Sequence, residues 1–145
     1  MEMSEIKFRP ILESDIREVS ILLNQLKQMD ITSIDYKKAW SDFSSNSSSN
    51  SIVAILKKKV VAYGSIVIEN KIRGQVAGHI EDIVVDSEVS GKMLGVRLVK
   101  KLIEIGESKN CYRITLFCDK KLVSFYERSG FKVNNIMMKK FLMID

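Results

Sequence analysis

The sequence predicts a mixed α/β fold, with one central and mostly antiparallel sheet that is flanked by helices. Two β-branched runs, Ser51 to Leu56 and Val60 to Ile68, are separated by Lys57-Lys58-Lys59, a pattern typical of an antiparallel hairpin. Further along the chain, strands at Gly78 to Val85 and Cys111 to Cys118 enclose a long helix. This strand–helix–strand passage indicates a local parallel pair, which opens a gap in the sheet where the two strands diverge.

The other elements follow from local patterns. Lys7 to Arg9 predicts a short opening strand that is stopped by Pro10. Apolar residues at helical spacing from Ile16 to Leu26 predict a first helix, with Ser14 or Asp15 placed to cap it. The remaining predicted elements are a helix from Asp35 to Phe43 that buries Trp40, the long helix at about Lys92 to Lys109, a short helix from Leu122 to Ser129, and a last strand from Phe131 to about Lys140.

Length and composition predict one domain over residues 1–145. A chain of 145 residues, 46% of them hydrophobic, is large enough to bury a two-layer core. The serine- and asparagine-rich segment Ser44 to Ser51 has no apolar side chain to bury and is expected to be a solvated loop. No apolar run approaches the ~20 residues of a membrane span, and the N-terminus lacks a signal-peptide pattern. We therefore expect a cytoplasmic protein.

Charge and residue counts narrow the classes of function. A net charge of +5 suits an anionic small molecule, nucleic acid or simple solubility. Two cysteines, Cys111 and Cys118, are too few for a disulfide framework or a four-ligand zinc site. One histidine, His79, disfavours a metal enzyme or a Ser-His-Asp hydrolase, so we expect no metal. A lone histidine at the start of a strand is more often structural, and His79 is not assigned a catalytic role.

The strongest local signal for a ligand is the turn Ser90-Gly91-Lys92-Met93-Leu94-Gly95 at the start of the long helix. Glycine lets the backbone approach a ligand, and the unpaired amides of a first helical turn attract anions such as phosphate or pyrophosphate. The turn is neither a P-loop nor a dinucleotide fingerprint. Two glycines near a helix start more often mean only a tight loop and close packing, so this signal alone does not establish phosphate binding.

With the later segment Phe125-Tyr126-Glu127-Arg128-Ser129-Gly130-Phe131, this passage resembles the GNAT superfamily of N-acetyltransferases. In the superfamily pattern Gln/Arg-x-x-Gly-x-Gly/Ala, Gly95 matches the last position, while Ser90 and Met93 replace the first residue and first glycine. From about Phe8 to Phe141, the chain more closely resembles the glucosamine 6-phosphate N-acetyltransferases within it. The motifs that carry this resemblance are Phe8-Arg9-Pro10, Leu23-Asn24-Gln25-Leu26, Gly78 to Val85, Gly91-Lys92, Leu94-Gly95, Cys111-Tyr112 and Phe125-Tyr126-Glu127.

The resemblance implies the GNAT acyl-CoA N-acyltransferase fold and an acyltransferase that uses acetyl-CoA as co-substrate. It implies acetyl transfer to the amine of D-glucosamine 6-phosphate, by direct attack in a ternary complex, on the route to UDP-N-acetylglucosamine. It also implies a homodimer whose sites are completed by the second subunit's C-terminal strand. By resemblance, acetyl-CoA is held by Ile83, Val84, Val85, Ser90, Gly91, Lys92, Met93, Leu94, Gly95 and Val96.

Tyr126 is the predicted catalytic residue. Attack on the thioester expels CoA as a thiolate, and a nearby phenol can hydrogen-bond or protonate that sulfur. In the related enzymes a tyrosine at this position has that role. The alternative is a tyrosine that only packs a helix against the sheet, beside core residue Phe125.

Glu81 and Asp82 are the predicted sugar-binding carboxylates. Adjacent residues of a regular strand point to opposite faces, so both can reach one ligand only if the strand is bulged or ends there. By resemblance both bind the sugar, and the neighbouring strand amides grip the acetyl carbonyl. The alternative for either carboxylate is an ion pair with a nearby lysine.

Three lysines are candidates for the sugar phosphate. By resemblance Lys139 and Lys140 occupy the place of a basic pair in the C-terminal tail, and Leu26-Lys27 lies where relatives usually carry Thr in the sugar site. Exposed lysines that only interact with solvent are the alternative. Two departures from the family pattern also stand out, because Phe117 replaces an acidic residue and Leu122 replaces an Asn that contacts pantetheine in relatives.

Three other functions compete with this interpretation. A related acetyltransferase could act on a protein amine or another small amine, although Glu81-Asp82 and the basic tail favour a phosphosugar. A nucleic-acid-binding module would interleave clustered basic residues with exposed aromatics, whereas here the basic residues are scattered. A cofactor-binding regulator without catalysis would be consistent with the carboxylate missing at Phe117.

Overall fold

Five strands form one sheet in the structure, a computed structural model that describes residues 5–89 and 93–143. The helices and strands are β1 (Lys7–Pro10), α1 (Ile16–Leu23), α2 (Tyr36–Ser44), β2 (Ser49–Leu56), β3 (Lys59–Asn70), β4 (Val76–Val85), α3 (Leu94–Ser108), β5 (Cys111–Leu116) and α4 (Val123–Glu127). The order across the sheet is β1-β2-β3-β4-β5, and every neighbouring pair except β4–β5 is antiparallel. The predicted mixed and mostly antiparallel sheet is confirmed.

The predicted hairpin joins β2 to β3 through a two-residue turn. Lys57 and Lys58 both have positive φ, at 49° and 66°. Two central residues with positive φ give the turn a twist that matches the twist of the paired strands. The lysine run is therefore the turn of the hairpin, as predicted.

The parallel pair β4–β5 opens into a gap. The strands are in register from Val76 opposite Cys111 to Ile80 opposite Leu116, where β5 ends. Beyond Ile80, β4 continues to Val85 paired with β3 alone. Along this stretch the edge of β4 that faced β5 has lost its strand partner, which confirms the predicted gap.

A β-bulge lies in β4 at the mouth of this gap. Ser65 of β3 is opposite Glu81 and Tyr63 is opposite Val84, so one residue of β3 faces two of β4. Asp82 occupies the bulge with a positive φ of 56°. Asp adopts this conformation more readily than most residues, because its short polar side chain tolerates the left-handed region.

The two faces of the sheet are covered by different helices. The apolar face of α3 packs against one side, where the side chains of Leu98 and Leu102 are fully buried with Ile66. On the other side, Val19 and Leu22 of α1 pack with residues of β2 to β4, including Val53, Tyr63 and Val84. On the same face, Glu81 is exposed beyond the part that α1 covers.

The predicted cap of α1 is right in position, at Asp15, but not in its hydrogen bonding. Asp15 precedes the helix but makes no capping hydrogen bond; its carboxylate instead accepts two hydrogen bonds from Arg9, at 2.6 and 2.9 Å, and one from the Leu12 amide at 2.8 Å. The Arg9 guanidinium lowers the pKa of the Asp15 carboxyl. Ser14 is exposed, and the helix ends at Leu23 instead of reaching Leu26.

The serine-rich segment is shorter as a loop than predicted. Helix α2 extends to Ser44, with the Asp35 carboxylate capping its first turn at the Lys38 amide, and β2 already begins at Ser49. Ser51 is buried because its hydroxyl hydrogen-bonds Ser65 Oγ at 2.8 Å and accepts from Tyr63 Oη at 3.1 Å. Burial of Trp40 is also less complete than predicted, since it is half-buried.

The predicted last strand, Phe131 to about Lys140, does not form. Residues 131–143 have no helix or strand, and most of their apolar side chains are exposed. An extended segment is stable as a strand only when another strand pairs with it. No strand of the described residues pairs with this segment. None of the described helices is long and apolar enough to cross a membrane.

Candidate active site

Three elements converge at Gly95, in the first turn of α3. A β-carbon built on Gly95 would lie 3.2 Å from Phe125 Cζ of α4 and 3.8 Å from Val85 Cγ2 of β4. This close approach brings the end of β4, the start of α3 and the helix that carries Tyr126 to one place. Gly95 permits the three elements to pack closely here. Close packing is the explanation that the sequence left open beside ligand binding.

The start of α3 presents backbone amides to this place. The first hydrogen bond of the helix runs from the Arg97 amide to the Met93 carbonyl at 3.0 Å. The amides of Leu94, Gly95 and Val96 precede it, and the first amides of a helix have no partner within the helix. Met93 has a positive φ of 61° and is exposed, while Leu94 is buried and Val96 half-buried. Ser90, Gly91 and Lys92 lie outside the described residues.

The end of β4 supplies a second set of backbone groups. Val84 is buried, whereas Ile83 and Val85 are half-buried beside the core that α3 covers. Because β5 has already ended at Leu116, the backbone groups on that edge of β4 face the gap instead of a neighbouring strand. A strand edge of this kind can hydrogen-bond an extended ligand or stabilise an oxyanion.

Tyr126 is buried in α4, with 8% of its surface exposed. Its ring packs edge-on against Phe125 and Phe131, at centroid distances of 4.9 and 6.1 Å. Burial raises the pKa of the phenol, and a smaller electrostatic contribution from Cys118 acts in the same direction. The phenol hydroxyl forms no hydrogen bond with the residues that the structure describes. The phenol is therefore protonated at neutral pH, and its donor is not used by another described residue.

Glu81 and Asp82 are both exposed at the bulge. Both carboxylates lie close enough to Tyr63 to contribute to its raised pKa, although burial is the larger cause. Tyr63, Ser51 and Ser65 form a buried chain of hydroxyl groups on β2 and β3, next to Glu81. The two carboxylates can share one ligand only if the strand is bulged or ends there. The bulge is present, and it places both residues at the mouth of the gap.

Two of the three predicted phosphate-binding lysines meet at one ring. Lys27 Nζ lies 5.4 Å and Lys139 Nζ lies 5.3 Å from the ring centroid of Phe141. Lys140 and Leu26 are exposed. Among the described residues, no hydrogen bond or ion pair joins these lysines to Glu81 or Asp82. The structure thus gathers two cations from opposite ends of the chain but does not connect them to the carboxylate pair.

The sequence indicated a structural role for His79 but did not reveal its partner or its place beside Glu81. His79 Nδ1 lies 2.6 Å from Thr115 Oγ1, and the ring of His79 packs 4.8 Å from that of Phe117. Thr115 faces His79 across the parallel pair, so only the register of β4 and β5 reveals the contact. Phe117 and Leu122, the two departures from the family pattern, are both exposed.

One cavity that described residues line lies on one side of His79. It has a volume of about 480 Å³ and is bounded by parts of β3, β4 and β5 together with Ser48. Its lining includes His79 and Thr115 but none of the site residues predicted from the sequence. The gap at the end of β4 is an open cleft and is defined by strand divergence instead of by an enclosed cavity.

The parallel pair separates where one of its strands is bulged, and the gap between the two strands forms a cleft. The start of a helix presents backbone amides to this cleft, and a phenol without a hydrogen bond to the described residues lies on the next helix. These features together define an acyl-CoA-dependent transferase fold. The chain belongs to the acetyltransferase (GNAT) family, whose model matches residues 18–131. Within it, the chain is 32% identical over 143 residues to glucosamine 6-phosphate N-acetyltransferase 1 of Dictyostelium discoideum, covering 94% of this chain and 91% of the relative.

Two further similarities extend over nearly the whole chain. Glucosamine 6-phosphate N-acetyltransferase of Arabidopsis thaliana is 34% identical over 142 residues, which covers 93% of this chain and 95% of the relative. The crystal structure of glucosamine-6-phosphate N-acetyltransferase from Arabidopsis thaliana superimposes with a TM-score of 0.86 at 32% identity, covering 95% of this chain and 99% of that chain. The resemblance found in the sequence and the GNAT fold are confirmed.

Proposed function

We propose that this protein transfers the acetyl group of acetyl-CoA to the amine of D-glucosamine 6-phosphate, giving N-acetyl-D-glucosamine 6-phosphate and CoA. The observation that carries the proposal is the similarity, over more than nine-tenths of both chains, to relatives named for this activity. The GNAT family uses acetyl-CoA, which supports the donor. The product would serve the synthesis of UDP-N-acetylglucosamine.

The described residues suit acetyl-CoA. The amides of Leu94, Gly95 and Val96 form the positive end of a 15-residue helix, which favours a pyrophosphate, and Ser90, Gly91 and Lys92 would complete that turn. The free edge of β4, at Ile83 to Val85, lies beside this turn. Its N–H groups can bind the extended pantetheine arm and stabilise negative charge on the thioester oxygen during attack.

The acceptor side of the cleft carries the carboxylates. Glu81 and Asp82 can bind sugar hydroxyl groups and the ammonium of the substrate. The ammonium must give one proton to a water molecule before it attacks, and the nitrogen gives a second proton to solvent as the amide forms. The amine then forms a bond to the thioester carbon, the carbon–sulfur bond breaks, and the thiolate leaves. Tyr126 donates a hydrogen bond to that sulfur. Full proton transfer is not favoured, because the phenol pKa is raised above its usual ~10 and a thiol titrates near ~8.5.

Release of CoA thiol tests the proposed function. We expect the protein to release thiol from acetyl-CoA with glucosamine 6-phosphate at least about tenfold faster, as kcat/KM, than with free glucosamine, since charged hydrogen bonds to the phosphate are lost. Lys27, Lys139 and Lys140 are the proposed phosphate ligands. A lysine peptide serves as the comparison for a protein-modifying enzyme. Absence of release with the phosphosugar would refute the proposal, and equal rates with both sugars would remove the phosphate role of the lysines.

We further propose that the protein is a homodimer in which the C-terminal tail of each copy completes the site of the other. Val133, Ile136, Met138 and Leu142 are between 76% and 91% exposed, although apolar side chains in such number are normally covered. Strand β5 is an edge of the sheet among the described residues, and an edge strand is a template for another strand. The pattern that predicted a last strand is consistent with a strand that pairs only in the dimer.

Light scattering coupled to size exclusion tests the dimer. At micromolar concentration we expect twice the mass of the 16.5 kDa chain, and a largely monomeric species for the double variant Ile136→Lys, Met138→Lys. Ile72→Lys is the matched control, because Ile72 is fully exposed in the β3–β4 turn, away from the tail. A monomeric parent protein, or a double variant that remains dimeric, would contradict the proposal.

A further inference from the structure

His79 has a defined place next to Glu81. The two residues are separated by one position in β4, before the bulge, so their side chains lie on the same face of the strand. Ile80, between them, is buried in the core on the opposite side. His79 Nε2 lies 3.8 Å from Glu81 Oε1, while Nδ1 lies 2.6 Å from Thr115 Oγ1.

The partners of the ring select one tautomer. An ionised Glu81 can only accept hydrogen bonds, and a neutral imidazole donates from one nitrogen and accepts at the other. The Thr115 hydroxyl can do either. All three groups are satisfied when Thr115 donates to Nδ1 and the Nε2–H of His79 faces Glu81. The ring of Phe117, at 4.8 Å, packs against the imidazole and restricts its rotation.

Glu81 has few other constraints. Its side chain is 53% exposed, and among the described residues His79 is the one basic side chain within 4.0 Å of its carboxylate. An exposed glutamate samples many rotamers and loses this freedom when it binds a ligand. At 3.8 Å the Nε2–H attracts the carboxylate without forming a short hydrogen bond, so both oxygens remain able to accept from a substrate.

We infer that His79 is a positioning residue for acetyl transfer: held by Thr115 and Phe117, it directs the Glu81 carboxylate towards the acceptor sugar. The inference rests on the proposed function for the identity of that sugar. It assigns to Glu81 the acceptor side of the cleft and leaves acetyl-CoA binding independent of His79. It also gives a role to the aromatic residue at 117, which holds the imidazole in place.

Paired substitutions of His79 test the inference kinetically. Asparagine can replace Nδ1 towards Thr115 but does not reach Glu81, whereas glutamine places its amide N–H near the position of Nε2. We expect His79→Asn to raise the KM for glucosamine 6-phosphate about fivefold, with the KM for acetyl-CoA unchanged and His79→Gln closer to the parent. In a Glu81→Gln background, His79→Asn should have no further effect. The inference would be overturned if His79→Asn raised the KM for glucosamine 6-phosphate by the same factor in the parent and in Glu81→Gln. It would also be overturned if His79→Asn raised the KM values of both substrates equally.

A second measurement does not depend on activity. Because the sequence contains a single histidine, imidazole ¹⁵N signals of the untagged protein report His79 alone. For the neutral imidazole we expect the Nε2–H tautomer. Glu81→Gln should shift the Nε2 signal, and Thr115→Val the Nδ1 signal. The Nδ1–H tautomer, or signals that neither variant moves, would refute the role of His79, whereas failure of thiol release alone would refute only the proposed substrate.

Discussion

Replacing Tyr126 by Phe is expected to lower kcat about a hundredfold while the KM for acetyl-CoA changes little. The substitution removes one hydroxyl and keeps the ring that packs against Phe125 and Phe131, so the fold around α4 should be preserved. The lost group is the proposed donor to the leaving thiolate, an interaction that matters mainly in the transition state. Thiol release at saturating concentrations of both substrates measures the effect directly.

The pH dependence of this rate gives a second test of Tyr126. The phenol donates only while it is protonated, and burial raises its pKa above the usual ~10. The activity of the parent protein should therefore persist to a pH higher than an exposed tyrosine would allow, and this alkaline loss should disappear in Tyr126→Phe. Tyr112→Phe, at an exposed tyrosine of β5, is the matched control. Unchanged turnover in Tyr126→Phe would remove the phenol from the mechanism.

The hairpin and the parallel pair could be predicted because each follows from a pattern that is local in sequence. Two β-branched runs around a polar turn have few alternatives, and a strand–helix–strand passage favours a parallel pair because parallel strands need a crossover that is usually a helix. The sequence did not predict the bulge at Asp82 outright, but it showed what a shared ligand would require. Two adjacent carboxylates can share a ligand only if strand alternation is broken, and the structure shows that it is broken at that position.

Other features depended on information that the local sequence does not carry. The contact between His79 and Thr115 joins residues that are 36 positions apart, and it exists only in one register of β4 against β5. Ser51 stood at the boundary between the expected solvated segment and the predicted strand, and its hydroxyl is satisfied by Tyr63 and Ser65 of the neighbouring strand. Composition alone cannot distinguish a solvated serine from a buried one with partners.

The C-terminal segment shows a different limit. Its apolar pattern favours a strand, but a strand also needs a partner, and no described strand of the same chain provides one. The pattern therefore predicts only that the segment favours an extended conformation. Whether it forms a strand depends on a partner strand, which the described residues of one chain do not supply. For the pyrophosphate turn, Ser90 to Lys92 lie outside the described residues, so their role stays a prediction supported by the amides that follow them.

Neutralising the carboxylate pair at the bulge is the test of the acceptor side with the largest expected effect. Glu81→Gln and Asp82→Asn keep the size of each side chain and remove its charge. Each should lower kcat/KM for glucosamine 6-phosphate about tenfold or more, since a hydrogen bond from an ammonium or hydroxyl to a charged acceptor contributes roughly 1.5–3 kcal/mol. The KM for acetyl-CoA, whose proposed site is Ile83 to Val85 and the start of α3, should stay the same.

Backbone geometry makes Asp82→Asn the cleaner of these two variants. Asn tolerates positive φ as well as Asp does, so the bulge at 56° should persist and any loss can be assigned to charge. Both carboxylates are exposed, so neither variant should lower the midpoint of thermal unfolding by more than a few degrees. Glu104→Gln, at an exposed acid of α3, is the control for the change in net charge. If both variants keep the parent kcat/KM, the sugar does not bind at the bulge, and the gap would serve acetyl-CoA alone.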